Sequence, residues 1–197
     1  MANFKEIYRK VRSVSSIFTP SIKIKEEAKG LKGKLFLTAF ENGQEVYSYT
    51  SPNVIVNTAS ILIARLLKDS SEPTGGITYL SVGTGDVAWD TQDPPAPTTS
   101  QTLLEGEVDR KAISSSNTSF IDPNTGDPVG NATPTNIVDY AVTFSESEAV
   151  GAIVEMGLFG GDASATANSG TLVNFRTFPV INKTNSMTLS VIFRITA

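Results

Sequence analysis

The 197-residue chain contains no cysteine, no histidine and only one tryptophan. Without thiols there can be no disulfide, no thiolate nucleophile and no cysteine-type zinc ligand. Without imidazole, the usual general base near neutral pH and the commonest metal ligand are also missing. Long hydrophobic runs are absent too: the longest aliphatic stretch, Ile61 to Ala64, falls far short of the ~20 residues that cross a bilayer. The first residues are polar and basic with no apolar stretch behind them, so a cytoplasm-like place of synthesis is expected. Charge is sparse at 18 %, against 40 % hydrophobic residues. That balance, in a chain of this length, describes a folded protein with a sizeable core rather than a disordered one.

The charges present are unevenly placed. Residues 1–34 carry nine basic and three acidic side chains, net +6, whereas the other 163 carry seven basic and seventeen acidic, net −10. This split predicts a basic N-terminal arm, 1–34, and an acidic body, 35–197. In the arm, Phe4, Ile7, Tyr8 and Val11 recur at helical spacing between Lys5, Arg9, Lys10 and Arg12, the pattern of a short amphipathic helix. Beyond the serine-rich stretch to Pro20, Ile22 and Ile24 alternate with polar residues, so the chain there reads as extended. With Ile17 and Phe18 these are too many large apolar groups for a solubilising tail. The expected partner-binding residues are therefore Phe4, Lys5, Ile7, Tyr8, Arg9, Lys10, Arg12, Phe18, Ile22 and Ile24.

The body reads as β. Lys34 to Phe40 alternates, Asn42-Gly43 supplies the two positive-φ residues of a type I′ hairpin, and Gln44 to Thr50 returns. A capped helix is predicted after Asn57 or Thr58, with Arg65 and Lys68 in its last turn, as a cover over the sheet. Further strands are predicted at Ile77 to Val82, Thr102 to Lys111, Ile137 to Phe144, Gly151 to Phe159, Leu172 to Phe178 and Ser186 to Ala197, the last placing Met187, Leu189, Val191, Phe193 and Ile195 inward. Short strands separated by Gly and Pro turns point to an antiparallel β-sandwich of jelly-roll type, with one short covering helix and an extended or helical N-terminal arm.

Several patterns invite chemistry and fail on their surroundings. Gly83 to Ala88 fits G-x-G-x-x-A, but Pro94, Pro95 and Pro97 forbid the helix a dinucleotide fingerprint needs, which leaves a plain turn at Gly83 and Gly85. Glu105, Glu107 and Asp109 stand at spacing two, one face of a strand, with no aromatic cluster to shape a sugar site; a solvated or interface-facing stripe is expected, with Arg110 and Lys111 as local neutralisation. Asp122 to Asp127 departs from the calcium-loop pattern, having Thr133 at its twelfth position, and reads as a turn inside a long exposed loop or irregular hairpin, Ser114 to Asn136. The N-x-[ST] triplets at Asn117, Asn131 and Asn182 mean little without a secretory signal. No catalytic residue, metal ligand or cofactor is expected.

YLSVGTG at 79–85, TLLEGEVDRK at 102–111, IVEMGLF at 153–159 and FPVINKTNSMTLSVIFRI at 178–195, preceded by SPNVIVNTASILIARLL at 51–67, resemble a pattern of structural proteins in tailed-bacteriophage virions. The resemblance runs from Leu35 to Ala197 and leaves the arm outside. It implies a non-enzymatic β-sandwich present in many copies as capsid cement or decoration, or as a neck, baseplate or tail component. It also implies scaffold roles, in turns and ion pairing, for Gly83, Gly85, Arg110, Glu155 and Lys183. The expected partners are copies of itself and other virion proteins, in a particle made in the host bacterial cytoplasm, with neither a small-molecule substrate nor a membrane. The acidic body argues against nucleic acid for the whole protein, though not for the arm alone, whose Lys and Arg residues could meet phosphates. The alternative is a receptor- or glycan-binding module of a tail fibre or baseplate using the loops Asp86 to Gln101 and Ser114 to Asn136, where Trp89 and Phe120 are nearly alone among aromatics.

Overall fold

The computed structural model describes residues 30–68, 75–129 and 133–197. Within them the chain is mainly β, with ten strands and one α-helix: β1 (Lys32–Glu41), β2 (Gln44–Ile55), α1 (Thr58–Lys68), β3 (Gly75–Gly83), β4 (Glu107–Ala112), β5 (Thr118–Ile121), β6 (Pro128–Val129), β7 (Ile137–Phe144), β8 (Gly151–Gly161), β9 (Thr171–Lys183) and β10 (Met187–Thr196). Every pairing is antiparallel, in the order β4-β3-β8-β9-β2-β1-β10-β7-β5-β6. The antiparallel, mainly β architecture expected from the alternating residues is what forms.

Alternation sets which side chains are buried. Leu35, Leu37 and Ala39 of β1 and Leu189, Val191 and Phe193 of β10 lie in one apolar cluster with Leu80, Val82, Ile153, Met156, Leu158 and Phe178. That cluster draws on both halves of the strand order, on either side of the place where β2 changes partner along its length. Gln44 to Asn53 pairs with β1, whereas Val54 and Ile55 pair with Phe175 and Asn174 of β9. Asn42 and Gly43 adopt φ of 51° and 77°, the two left-handed residues a type I′ hairpin requires.

β8 is covered on both faces. Phe159 belongs to a second cluster with Leu104, Leu172, Phe175 and Val56, which explains its unbroken apolar run. The helix docks at one end through Ala59 and Leu62 against Val173, and the Thr58 hydroxyl donates to the Leu172 carbonyl at 2.6 Å. Its remaining apolar residues, among them Ile61 and Leu67, are exposed.

Two prolines that suggested strand ends do not end strands. β2 runs through Pro52, along a stretch with no strand on its other side, and β9 runs through Pro179 at a register shift between Ile153 and Glu155 of β8. Edges and bulges are where a strand can spare an N–H. In the other direction, the strand predicted from Thr102 starts only at Glu107. The stretch from Ser114 onward forms the irregular hairpin alternative, β5 and β6.

Candidate functional site

Gly83, Gly85, Arg110 and Glu155 come together where β3, β4 and β8 lie side by side. Gly83 pairs with Glu155 on one side and Glu107 on the other. Glu155 is fully buried in an apolar strand, which costs free energy unless its oxygens are bonded. Backbone N–H groups satisfy it: Gly85 donates at 3.2 Å, Gly106 at 2.7 Å and Glu105 at 3.2 Å. The carboxyl thus fastens both ends of the long loop 84–106 to β8. Burial raises its pKa above the ordinary carboxyl value, against the three N–H donors and with a smaller push from Glu105.

The glycines make this approach possible. A Cβ on Gly83 would strike the Glu155 carboxylate and the Gly106 carbonyl, and one on Gly85, at φ +70°, would strike the Trp89 ring. Gly106 in turn has the Gly85 carbonyl where its Cβ would be.

Beside this clip the Arg110 guanidinium donates through Nε to Glu107 Oε1 at 2.5 Å and through Nη2 to Glu107 Oε2 at 2.9 Å. Nη1 donates to the Ser164 carbonyl at 2.7 Å and to the Ser169 hydroxyl at 2.9 Å. The guanidinium also stands 4.8 Å from the centre of the Phe159 ring. Glu107 Oε2 accepts a further bond from the Asn168 N–H at 2.7 Å, and the Asn168 amide clamps the backbone of Leu104. A forked, stacked cation that ties a loop to a strand is work for which arginine is suited and lysine is not.

This arrangement corrects the exposed acidic stripe. Glu105 lies outside β4 and is exposed, but the Glu107 side chain is only 1 % exposed and is ion-paired. Asp109 accepts from the N–H groups of Arg110 and Ala149. Lys111 neutralises Glu148 at 2.6 Å instead of its own strand, and with the Ser145 N–H it lowers the Glu148 pKa to about 2.

Lys183 stands apart, opposite Gly151 at the other end of β8. It is buried, and its ammonium donates to the carbonyls of Ser145 at 2.8 Å and Glu146 at 3.2 Å. Desolvation lowers its pKa, opposed by Glu148, Glu146 and Asp109. It pins the β7–β8 loop as Glu155 pins the β3–β4 loop. Glu107, Gly106, Asn168 and Ser169 were not anticipated as members of these networks.

The chemistry open to these groups is narrow. Glu155 and Lys183 are engaged by backbone and Glu107 by an ion-pair partner. A concavity of about 550 Å³ lies elsewhere, lined by Lys32, Lys34, Pro52, Val54, Thr99 and Arg194 among others and by no carboxylate. Among the described residues no group of three or more potential metal ligands occurs. Asp122 to Asp127 is a turn closed by the Asp122 N–H to the Asp127 carbonyl at 2.9 Å and the Gly126 N–H to the Asp122 carbonyl at 2.8 Å. The expected partner-binding residues, Phe4, Lys5, Ile7, Tyr8, Arg9, Lys10, Arg12, Phe18, Ile22 and Ile24, lie outside the described residues.

No protein-family model matches the chain, and no curated protein matches it.

Proposed function

We propose that the chain is a non-enzymatic structural protein of a tailed-bacteriophage virion, assembling in many copies and gripping its neighbours through the basic arm. The body is a β-sandwich of jelly-roll type. Support for that layering comes from the single apolar cluster shared by strands from both halves of the order, and from the short turn 184–186 that carries the chain from β9 to β10. The partners are other copies and other virion proteins, capsid or neck and tail, and the protein resides in the particle.

The observation that carries the reading is the commitment of the polar motif residues. Gly83, Gly85, Arg110, Glu155 and Lys183 are used up in holding loops to strands, and none lines the concavity of about 550 Å³ at Pro52; Arg110 borders only a small one of about 180 Å³. A rigid acidic body with a separate cationic segment is suited to assembly, since complementary charge steers like copies together. The test is a full-length chain in which Lys5, Arg9, Lys10 and Arg12 are all replaced by Glu. Sedimentation velocity should show self-association weakened at least tenfold, with unchanged circular dichroism. Association unaffected by the four replacements would overturn the role of the arm.

A further inference from the structure

Among the described residues, one long stretch inside the strand order, Gln44 to Ser51 of β2, has outer hydrogen-bonding groups that meet no neighbouring strand. β2 pairs with β1 on one side, but it meets β9 only at Val54 and Ile55. β9 turns to the proline-rich loop instead: the Val180 N–H donates to the Thr91 carbonyl at 2.8 Å and the Thr177 hydroxyl to the Pro95 carbonyl at 2.7 Å. Among the described residues, no backbone group bonds Gln44 to Ser51 from that side. Where the two strands part, Arg176 reaches across to the Tyr49 hydroxyl at 2.9 Å, and its buried Nε has no partner.

We propose that this free edge of β2, Gln44 to Ser51, accepts Ser21 to Lys25 of a second copy as an added antiparallel strand. The proposal rests on the reading of residues 1–34 as an arm that grips neighbours, and it names the surface gripped. Adding a strand satisfies the row of unpaired N–H and C=O groups that makes an open edge a template for another chain.

Charge and pattern fit the occupant. β2 carries Glu45 and no cation, with Glu41 just before it, whereas Ser21 to Lys25 offers Lys23 and Lys25 on one face and Ile22 and Ile24 on the other. Tyr47 and Tyr49, half-buried against the main cluster, give the isoleucines an apolar landing on the inner face. Exposed Ser48 and Thr50 leave the outer face open to the lysines.

For an antiparallel strand, chain length favours a second copy over the same one. Only residues 26–31 separate Lys25 from the start of β1 at Lys32. A strand parallel to β2 would end with Lys25 at the Ser51 end, beside the start of β1, and six residues would let it close within its own chain. Antiparallel pairing would carry Lys25 toward the hairpin end of β2, about 25–30 Å from Lys32, at or past the full reach of six intervening residues, about 25 Å. A strand from another copy has no such limit.

The absence of native cysteine makes cross-linking clean. Full-length Lys23→Cys would be mixed with full-length Ser48→Cys, and separately with Thr50→Cys, then oxidised and run without reductant. Disulfide-linked heterodimer should form at least fivefold more than with Val108→Cys, an exposed position on β4. Equal yields at Val108, or none at Ser48 and Thr50, would overturn the inference. If the arm substitutions still abolish association in that case, the arm grips another surface and the proposed function stands. A wild-type chain that sediments as a monomer at every concentration would remove both. A Lys23→Cys/Ser48→Cys double variant that closes within single chains at high dilution would overturn the second-copy occupant.

Discussion

The two ends of the β4-β3-β8-β9-β2 run meet their edges differently. At β4 the outer strand is held by Arg110, which joins Glu107 to the Ser164 and Ser169 segment, while Glu155 fastens the loop that leads into the strand. At β2, Gln44 to Ser51 faces outward with no such covering among the described residues. Natural sheets blunt edges with charge, proline or covering loops. β4 carries a buried ion pair and, beside it, Asp109 and Lys111; β2 has only Glu45 and, at its far end, Pro52. The contrast teaches that polar residues inside the body are spent on closing one edge and leave another available.

The largest effect should come from breaking the closed edge at its centre. Glu155→Ala leaves three enclosed N–H donors without an acceptor, and urea unfolding should show a loss of about 4 kcal/mol. Glu155→Gln, which retains one carbonyl acceptor, should lose less and should also change the pH profile. A carboxyl pKa raised by burial means the folded state binds the proton more tightly than the unfolded chain. The stability this contributes is complete below the ordinary value of 4.5 and is lost as pH rises through the raised value. The Gln variant lacks that slope, so its stability relative to the parent should improve as pH is raised from 4.5.

Arg110→Met should rank next, costing about 3 kcal/mol because Glu107 is left buried without its cation, and Arg110→Lys should recover only part of that loss. Gly85→Ala should cost about 2 kcal/mol, from a left-handed backbone and a collision with Trp89. Ser48→Lys on the open edge should sharpen the contrast from the other side. Unfolding should move by less than about 0.5 kcal/mol, as for an exposed residue without partners, while self-association weakens severalfold in sedimentation because the added cation faces the basic arm.

Much of the closed edge was legible in part and none of it in full. The turn at Gly83 and Gly85 was read from its glycines, whereas a scaffold role for Glu155 came only through the resemblance. Its donors, however, come from Gly85 and from Glu105 and Gly106, brought together only when the proline-rich loop closes. Spacing two made Glu105, Glu107 and Asp109 an outward stripe because the strand was started five residues early. With Glu105 outside β4, Glu107 enters the Arg110 pair. The open edge was hidden for the opposite reason. Pro52 reads as the end of a strand, yet β2 passes through it and changes partner two residues later. Strand partners across more than a hundred residues are not written in local periodicity, whereas the Asn42-Gly43 turn and the inward row of β10 are.

Amide hydrogen exchange of the full-length chain, followed residue by residue across a dilution series, tests the contrast most directly. β3 and β8 amides should stay protected at every concentration, and the outward-facing amides of Gln44 to Ser51 should gain protection only as copies associate. Equal protection of those β2 amides at the lowest concentration, or none at the highest, would contradict the account.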